Sequence, residues 1–132
     1  LPLACQAAIR PMPVGARDLE NAASTYEYSL PEQFDLVHLG LGPDGHTASL
    51  VPGDPVLEVT DRSIAVTGTE YQGTHRMTMT YPVFEKARKI LFLVTGAEKR
   101  EALDRLLAGD GTIPAGRVET ANATLITDIA PD

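Results

Sequence analysis

Phe34-Asp35-Leu36-Val37-His38-Leu39-Gly40-Leu41-Gly42-Pro43-Asp44-Gly45-His46 is the stretch whose reading decides the fold. It opens as a short apolar run and leaves through a cluster of glycines. A run this short, with such an exit, fits a buried strand better than a helix. Glycines then allow a tight turn, and Asp44 stands where it can cap a following helix. Taken that far, His46 has a purely structural explanation. Its position supports a second reading. In open α/β sheets ligands bind beyond the carboxyl ends of the strands, which is where this loop falls.

The surrounding chain repeats the alternation. Over Arg17–Leu30 the residues Leu19, Ala22, Ala23, Tyr26 and Leu30 share one helical face. Ser63–Thr67 and Arg76–Thr80 read as strands, the second alternating strictly as a half-buried strand should. Pro82 suits the first turn of a helix reaching about Arg88. Ile90-Leu91-Phe92-Leu93-Val94 is the most hydrophobic stretch and is expected to be a central strand. Thr95-Gly96-Ala97-Glu98 has capping-box spacing, so a helix is expected from there, burying Ala102, Leu103, Leu106 and Leu107 and pairing Glu101 with Arg105. Gly109 is its expected stop. A last strand is expected near Ala123–Thr127. Strand and helix in alternation predict an α/β fold with a mainly parallel, Rossmann-like sheet flanked by helices.

Composition bounds the function. The chain of 132 residues fits one domain, and its 43% hydrophobic content is ordinary for a globular protein. Eighteen acidic against eleven basic residues give a formal charge of −7, which opposes a nucleic-acid or anionic-membrane surface. A small phosphorylated substrate is still compatible, since one local arginine outweighs distant surface charge. No apolar run approaches a membrane span and no signal peptide is visible, so a cytoplasmic setting is expected. Cys5 is the single cysteine, so no internal disulfide can form, and a small apolar filler is its expected role. The start at Leu1-Pro2-Leu3 and the end at Asp132, just after a strand, suggest an incomplete domain.

His46 carries the chemistry if any residue here does. A helix starting near it would aim free backbone N–H groups, those of Gly45 and His46 among them, at a phosphate or a developing oxyanion. An imidazole beside such donors takes and returns a proton near neutrality. The combination suits acyl hydrolysis by an activated water. Ser49 lies close by, but no Gly-x-Ser-x-Gly elbow surrounds it.

Phe34–Gly53, with Gly42-Pro43-Asp44-Gly45-His46-Thr47-Ala48-Ser49-Leu50 at its centre and Pro52-Gly53 after it, resembles the signature of the 6-phosphogluconolactonases. The likeness continues through Tyr71-Gln72-Gly73-Thr74-His75-Arg76-Met77-Thr78-Met79-Thr80-Tyr81-Pro82. It persists in Leu93-Val94-Thr95-Gly96-Ala97-Glu98-Lys99 and in Ile113-Pro114-Ala115-Gly116-Arg117-Val118. The resemblance implies hydrolysis of 6-phosphoglucono-δ-lactone to 6-phosphogluconate in the oxidative branch of the pentose phosphate pathway. It implies His46 as general base and later acid, and Arg76 as the holder of the substrate phosphate, a task suited to a guanidinium fork. On this reading Asp44 shapes the turn and biases the imidazole, and Gly45 lines the substrate site. No metal or organic cofactor is implied, and the partner is a small sugar-phosphate lactone.

Two departures stand out. Some relatives carry a lysine five residues before the arginine, where this chain has Tyr71. Family members also have an amino-terminal half with a Gly-Gly-Ser-Thr phosphate loop and an Asp-Glu-Arg motif, and neither occurs here. The expectation is one α/β domain over residues 1–132 that resembles the carboxyl-terminal portion of a lactonase.

Other readings compete. Glucosamine-6-phosphate deaminases share the fold and place a glutamate five residues after the histidine; here that position is Val51, which cannot charge-stabilise an imidazole. A non-catalytic sugar-phosphate binder would keep Arg76 and dispense with His46. Among the remaining residues, His38 is expected to be a satisfied core histidine. His75 has either a phosphate or a solvated role, and Lys99 a helix surface. Arg117 serves a site rim or a salt bridge. His38, His46 and His75 lack zinc-site spacing.

Overall fold

The computed structural model describes residues 7–130, so Cys5 lies outside the described residues. The elements follow in the order α1 (Leu19–Glu27), β1 (Val37–Leu39), β2 (Ile64–Val66), β3 (Met77–Met79), α2 (Tyr81–Lys86), β4 (Ile90–Val94), α3 (Arg100–Leu107) and β5 (Ala123–Thr127). Strands β1, β4 and β5 form a parallel sheet in that spatial order, with Val37 beside Ile90 and Ile90 beside Ala123. Strands β2 and β3 pair antiparallel as a separate two-stranded unit, Ala65 opposite Thr78. The α/β architecture with a parallel sheet is therefore the observed one.

Period-two alternation assigns the two faces of the sheet. Val37, Leu39, Ile90, Phe92 and Val94 point into a core closed by Phe84 of α2 and by Ala102, Leu103 and Leu106 of α3. The opposite face carries His38, Leu93 and Ile126, all exposed, with Leu93 at 43% and Ile126 at 53%. His38 is thus no core histidine. It stands on β1 between the buried Val37 and Leu39, on the exposed face of the sheet.

Helix α1 occupies the centre of the amphipathic span, capped by Asp18, whose carboxylate accepts the Asn21 N–H at 3.0 Å. Its face of Leu19, Ala22, Ala23 and Tyr26, with Leu30 beyond it, packs on Ile64 and Met77 of the antiparallel pair. Strand β3 departs from strict half-burial. Met77 and Thr78 are both buried, because the Thr78 hydroxyl accepts the Ser49 N–H at 3.1 Å and so sits beneath the loop that follows β1.

The start of α3 also differs from its expectation. Ala97–Lys99 forms a 3-10 turn before the helix, and Thr95 makes no capping bond. The Gly96 N–H instead donates to the Asp128 carboxylate at 3.0 Å, tying the end of β4 to the end of β5. Leu107 is 66% exposed, one step outside the buried stripe. Arg105 turns to Asp110 at 2.7 Å and to Thr112, not to Glu101. Gly109 has φ of 64° just past the helix, the left-handed conformation a helix stop requires.

Candidate active site

The loop leaving β1 is a compact turn rather than a helix start. The Gly45 N–H donates to the Gly42 carbonyl at 3.0 Å, and the Gly42 N–H to the His46 carbonyl at 2.9 Å. Thr47 and Leu50 then form an isolated antiparallel bridge, and the buried Thr47 hydroxyl donates to the Gly40 carbonyl at 2.7 Å. The helix expected near His46 is absent, because these backbone groups close on one another within a few residues. The donors expected from it are engaged too: the His46 N–H goes to Asp44 Oδ1 at 3.1 Å.

Gly45 sits at φ of 86° with Ile113 beneath it, and a Cβ there would stand 2.6 Å from Ile113 Cβ. Its carbonyl accepts the Ala115 N–H at 3.0 Å, which fastens the turn to the segment after α3. Close approach and a left-handed backbone both require glycine here.

This turn presents a carboxylate–imidazole pair. His46 Nδ1 lies 2.5 Å from Asp44 Oδ1, on side chains that are partly solvent-exposed. Burial works to raise the Asp44 carboxyl. The His46 amide and imidazole bonds, the imidazole charge and the Tyr71 hydroxyl outweigh it and hold the carboxyl below its ordinary value. An ionised Asp44 accepts from Nδ1–H and so selects the tautomer whose other nitrogen, Nε2, has a lone pair to offer. Among the described residues Nε2 has no hydrogen-bond partner.

Tyr71 joins this pair from 25 residues away. Its hydroxyl lies 3.3 Å from Asp44 Oδ2 and 3.4 Å from His46 Nδ1, and its ring meets the imidazole edge-on at 5.4 Å between centroids. Burial and the neighbouring Asp44 charge raise the phenol above its ordinary value, with Arg76 opposing. Tyr71 opens a tight hairpin in which Gln72 and Gly73 both have positive φ, 52° and 83°. That is the mirror-image turn suited to twisted strands. The same turn positions Arg76, whose Nε and Nη2 both donate to the Tyr71 carbonyl at 3.3 Å. Arg76 is half-buried at the entry to β3, with its own N–H on the Thr67 hydroxyl at 2.9 Å.

Asp44, His46 and Arg76 are therefore gathered around Tyr71. The other singled-out residues are not. His75 is held by its Nδ1 against the Thr67 carbonyl at 3.0 Å. Arg117 pairs with Glu58 at 3.1 Å and lies 4.8 Å over the Tyr81 ring, so its salt bridge is the observed role. Ser49 is anchored by its amide to the Thr78 hydroxyl at 3.1 Å. A cleft of about 250 Å³ opens between β1 and β3, lined by residues including His38, Gly40, Ser49 and Phe84, and neither His46 nor Arg76 borders it. No group of three metal-ligating side chains occurs among the described residues. No helix among them is long and apolar enough to cross a membrane.

A sequence profile of the family described as Glucosamine-6-phosphate isomerases/6-phosphogluconolactonase matches residues 2–127. The chain belongs to that family. Among curated members of the 6-phosphogluconolactonase group, it is 45% identical over 113 residues to the enzyme of Synechocystis sp., covering 78% of this chain and 46% of that protein. To the 6-phosphogluconolactonase of Rattus norvegicus it is 35% identical over 120 residues, covering 83% of this chain and 47% of that protein. The crystal structure of 6-phosphogluconolactonase from Thermotoga maritima superposes with a TM-score of 0.69 at 32% identity, over 81% of this chain and 50% of that one. The chain thus spans about half the length of the curated relatives it matches.

Tyr71 is the site member that the sequence did not single out as an imidazole neighbour. The signal available was the left-handed pair Gln72-Gly73, which marks a hairpin and hence a sharp return toward the site. Nothing in the sequence says which loop the return approaches.

Proposed function

We propose that this chain carries the lactone-opening half of a 6-phosphogluconolactonase site, corresponding to the carboxyl-terminal portion of such an enzyme as one α/β domain. The observation that carries the reading is the imidazole of His46, bound through Nδ1 to Asp44 and with Nε2 unengaged. In the proposed reaction Nε2 takes a proton from water as its oxygen attacks the lactone carbonyl of 6-phosphoglucono-δ-lactone. The resulting imidazolium, stabilised by Asp44, returns the proton to the departing ring oxygen, giving 6-phosphogluconate. Arg76 holds the phosphate through the face of its guanidinium that the Tyr71 carbonyl leaves available. Gly45 shapes the site from behind, by letting the turn close down on Ile113, its amide being spent inside the turn. A lactone already prone to hydrolysis asks for little more than a placed base and orientation. A cytoplasmic setting in sugar-phosphate metabolism goes with this reading.

Support for lactonase over the deaminase reading comes from Val51, partly buried where the deaminase mechanism needs a carboxylate, and from the curated relatives' names. The test is turnover of freshly generated 6-phosphoglucono-δ-lactone, corrected for spontaneous hydrolysis, beside turnover of glucosamine 6-phosphate. The reading predicts acceleration of the first and none of the second. Arg76→Ala is expected to raise KM by about tenfold or more while kcat changes less, because its contact is with a phosphate remote from the bond broken. Release of ammonia from glucosamine 6-phosphate would overturn the assignment.

A further inference from the structure

We propose that Tyr71 is a positioning residue for His46, its hydroxyl against Asp44 Oδ2 and its ring edge against the imidazole holding the base in its Nδ1–H tautomer with Nε2 outward. The proposal rests on the lactonase reading for its chemistry and on three independent contacts for its geometry. Asp44 Oδ1 already receives both the His46 amide and the imidazole. Its second oxygen stays free to rotate away unless something donates to it, and the Tyr71 hydroxyl is the donor at 3.3 Å. The imidazole itself is partly exposed, with 26% of its side-chain surface open. The Tyr71 ring, at 62° to the imidazole plane, closes one side.

A further consequence separates Tyr71 from the phosphate site. Arg76 is held by the main-chain carbonyl of Tyr71, not by its side chain. Removing the phenol therefore disturbs the base and leaves the Arg76 anchor in place. The turn is secured by main-chain bonds as well, Tyr71 N–H to Thr74 carbonyl at 2.9 Å. Tyr71 is half-buried on this turn and outside the hydrophobic core, so its truncation leaves the fold standing.

The decisive experiment is the nitrogen NMR spectrum of the His46 imidazole in the 132-residue chain, comparing wild type, Tyr71→Phe and Tyr71→Ala. Wild type is expected to show a single Nδ1–H form. Tyr71→Phe, which keeps the ring and loses the hydroxyl, is expected to show a minor second tautomer, and Tyr71→Ala a mixture of both. In turnover the expected loss is about tenfold in kcat for Tyr71→Ala with KM unchanged, a fraction of what general-base catalysis supplies. Imidazole spectra of both variants that match the wild type, with the fold intact, overturn the positioning role. A loss that falls on KM alone also overturns it, by making Tyr71 a substrate contact. The lactone assay on wild type stands apart: tautomer changes without lactonase turnover keep the positioning and remove the reaction, whereas turnover with an insensitive imidazole does the reverse.

Discussion

Replacing Asp54 with alanine should loosen the frame that presents both Tyr71 and Arg76. Asp54 is only 4% exposed, and its carboxylate accepts four hydrogen bonds. Oδ1 takes the Val56 N–H at 2.8 Å and the Gly68 N–H at 3.0 Å, while Oδ2 takes the Thr69 N–H at 2.9 Å and the Thr69 hydroxyl at 2.6 Å. One side chain thus staples the loop after β1 to the loop after β2, from which the Tyr71 hairpin departs. Burial opposes the charge, but the Thr69 hydroxyl and the three amides prevail and hold the carboxyl below its ordinary value.

Alanine strands the Val56 amide in a buried place, at about 1–2 kcal/mol, while the amides of the exposed Gly68 and Thr69 recover water at about 0.5 kcal/mol each. The total is about 2–3 kcal/mol. For a chain of this length that lowers Tm by about 10 °C. Tyr71 and Arg76 should lose order in parallel. Asp54→Asn should cost about half as much, since its carbonyl still serves two amides while its NH2 faces the Thr69 donors. Thermal unfolding followed by circular dichroism reads both. An alanine variant melting within about 2 °C of wild type would refute the reasoning, for it would mean that water satisfies every stranded donor.

Gly42→Ala places a Cβ 2.1 Å from the imidazole Cε1 and Nδ1 and 2.8 Å from Asp44 Oδ1, so the ring must leave its carboxylate. Because that ring is partly exposed and can turn outward, stability should fall by no more than about 1 kcal/mol, while kcat on the lactone falls about a hundredfold. Equal losses in stability and activity would contradict this, as chemical denaturation beside turnover will show. Asp110 supplies an acid-range prediction. The Thr112 hydroxyl, the Arg105 guanidinium and the Thr112 amide lower its carboxyl from 3.8 to about 2. A depressed folded value means that the contribution is present above 3.8 and is lost as pH falls through about 2. The stability difference between wild type and Asp110→Asn should therefore be constant at neutral pH and shrink across that window; a pH-independent difference would argue against the carboxylate.

The elements were legible where local pattern and tertiary demand coincide. Ile90–Val94 is uniformly apolar and became the middle strand of the sheet; Leu19 to Leu30 shows one apolar stripe and became α1 with its flanks. Misreadings came where a side chain bonded across the fold instead of along it. Thr95 matched a capping box, but Asp128 reached the Gly96 amide first. Arg105 had Glu101 at helical spacing and found Asp110 in the loop beyond. His38 sits in an apolar run and is nevertheless exposed, because alternation points it to the face of the sheet opposite the core.

The site divides in the same way. His46 and Asp44 lie two residues apart on a glycine turn; the residues alone suggested Asp44 as a helix cap, and its bias on the imidazole came with the family resemblance. Arg76 came from family resemblance. The Tyr71 contact depends on how a hairpin 25 residues downstream folds back from a loop that Asp54 ties down with four hydrogen bonds to Val56, Gly68 and Thr69.

Whether His46 is the base that opens a phosphorylated lactone is tested by lactone hydrolysis by wild type against His46→Ala. Freshly generated 6-phosphoglucono-δ-lactone is followed with the spontaneous rate subtracted, and each protein's fold is checked by circular dichroism. Wild type is expected to accelerate hydrolysis, and the folded variant to lose about a hundredfold or more in kcat. A folded His46→Ala that hydrolyses the lactone within twofold of wild type, or a wild type that adds nothing to the spontaneous rate, would contradict that role for His46.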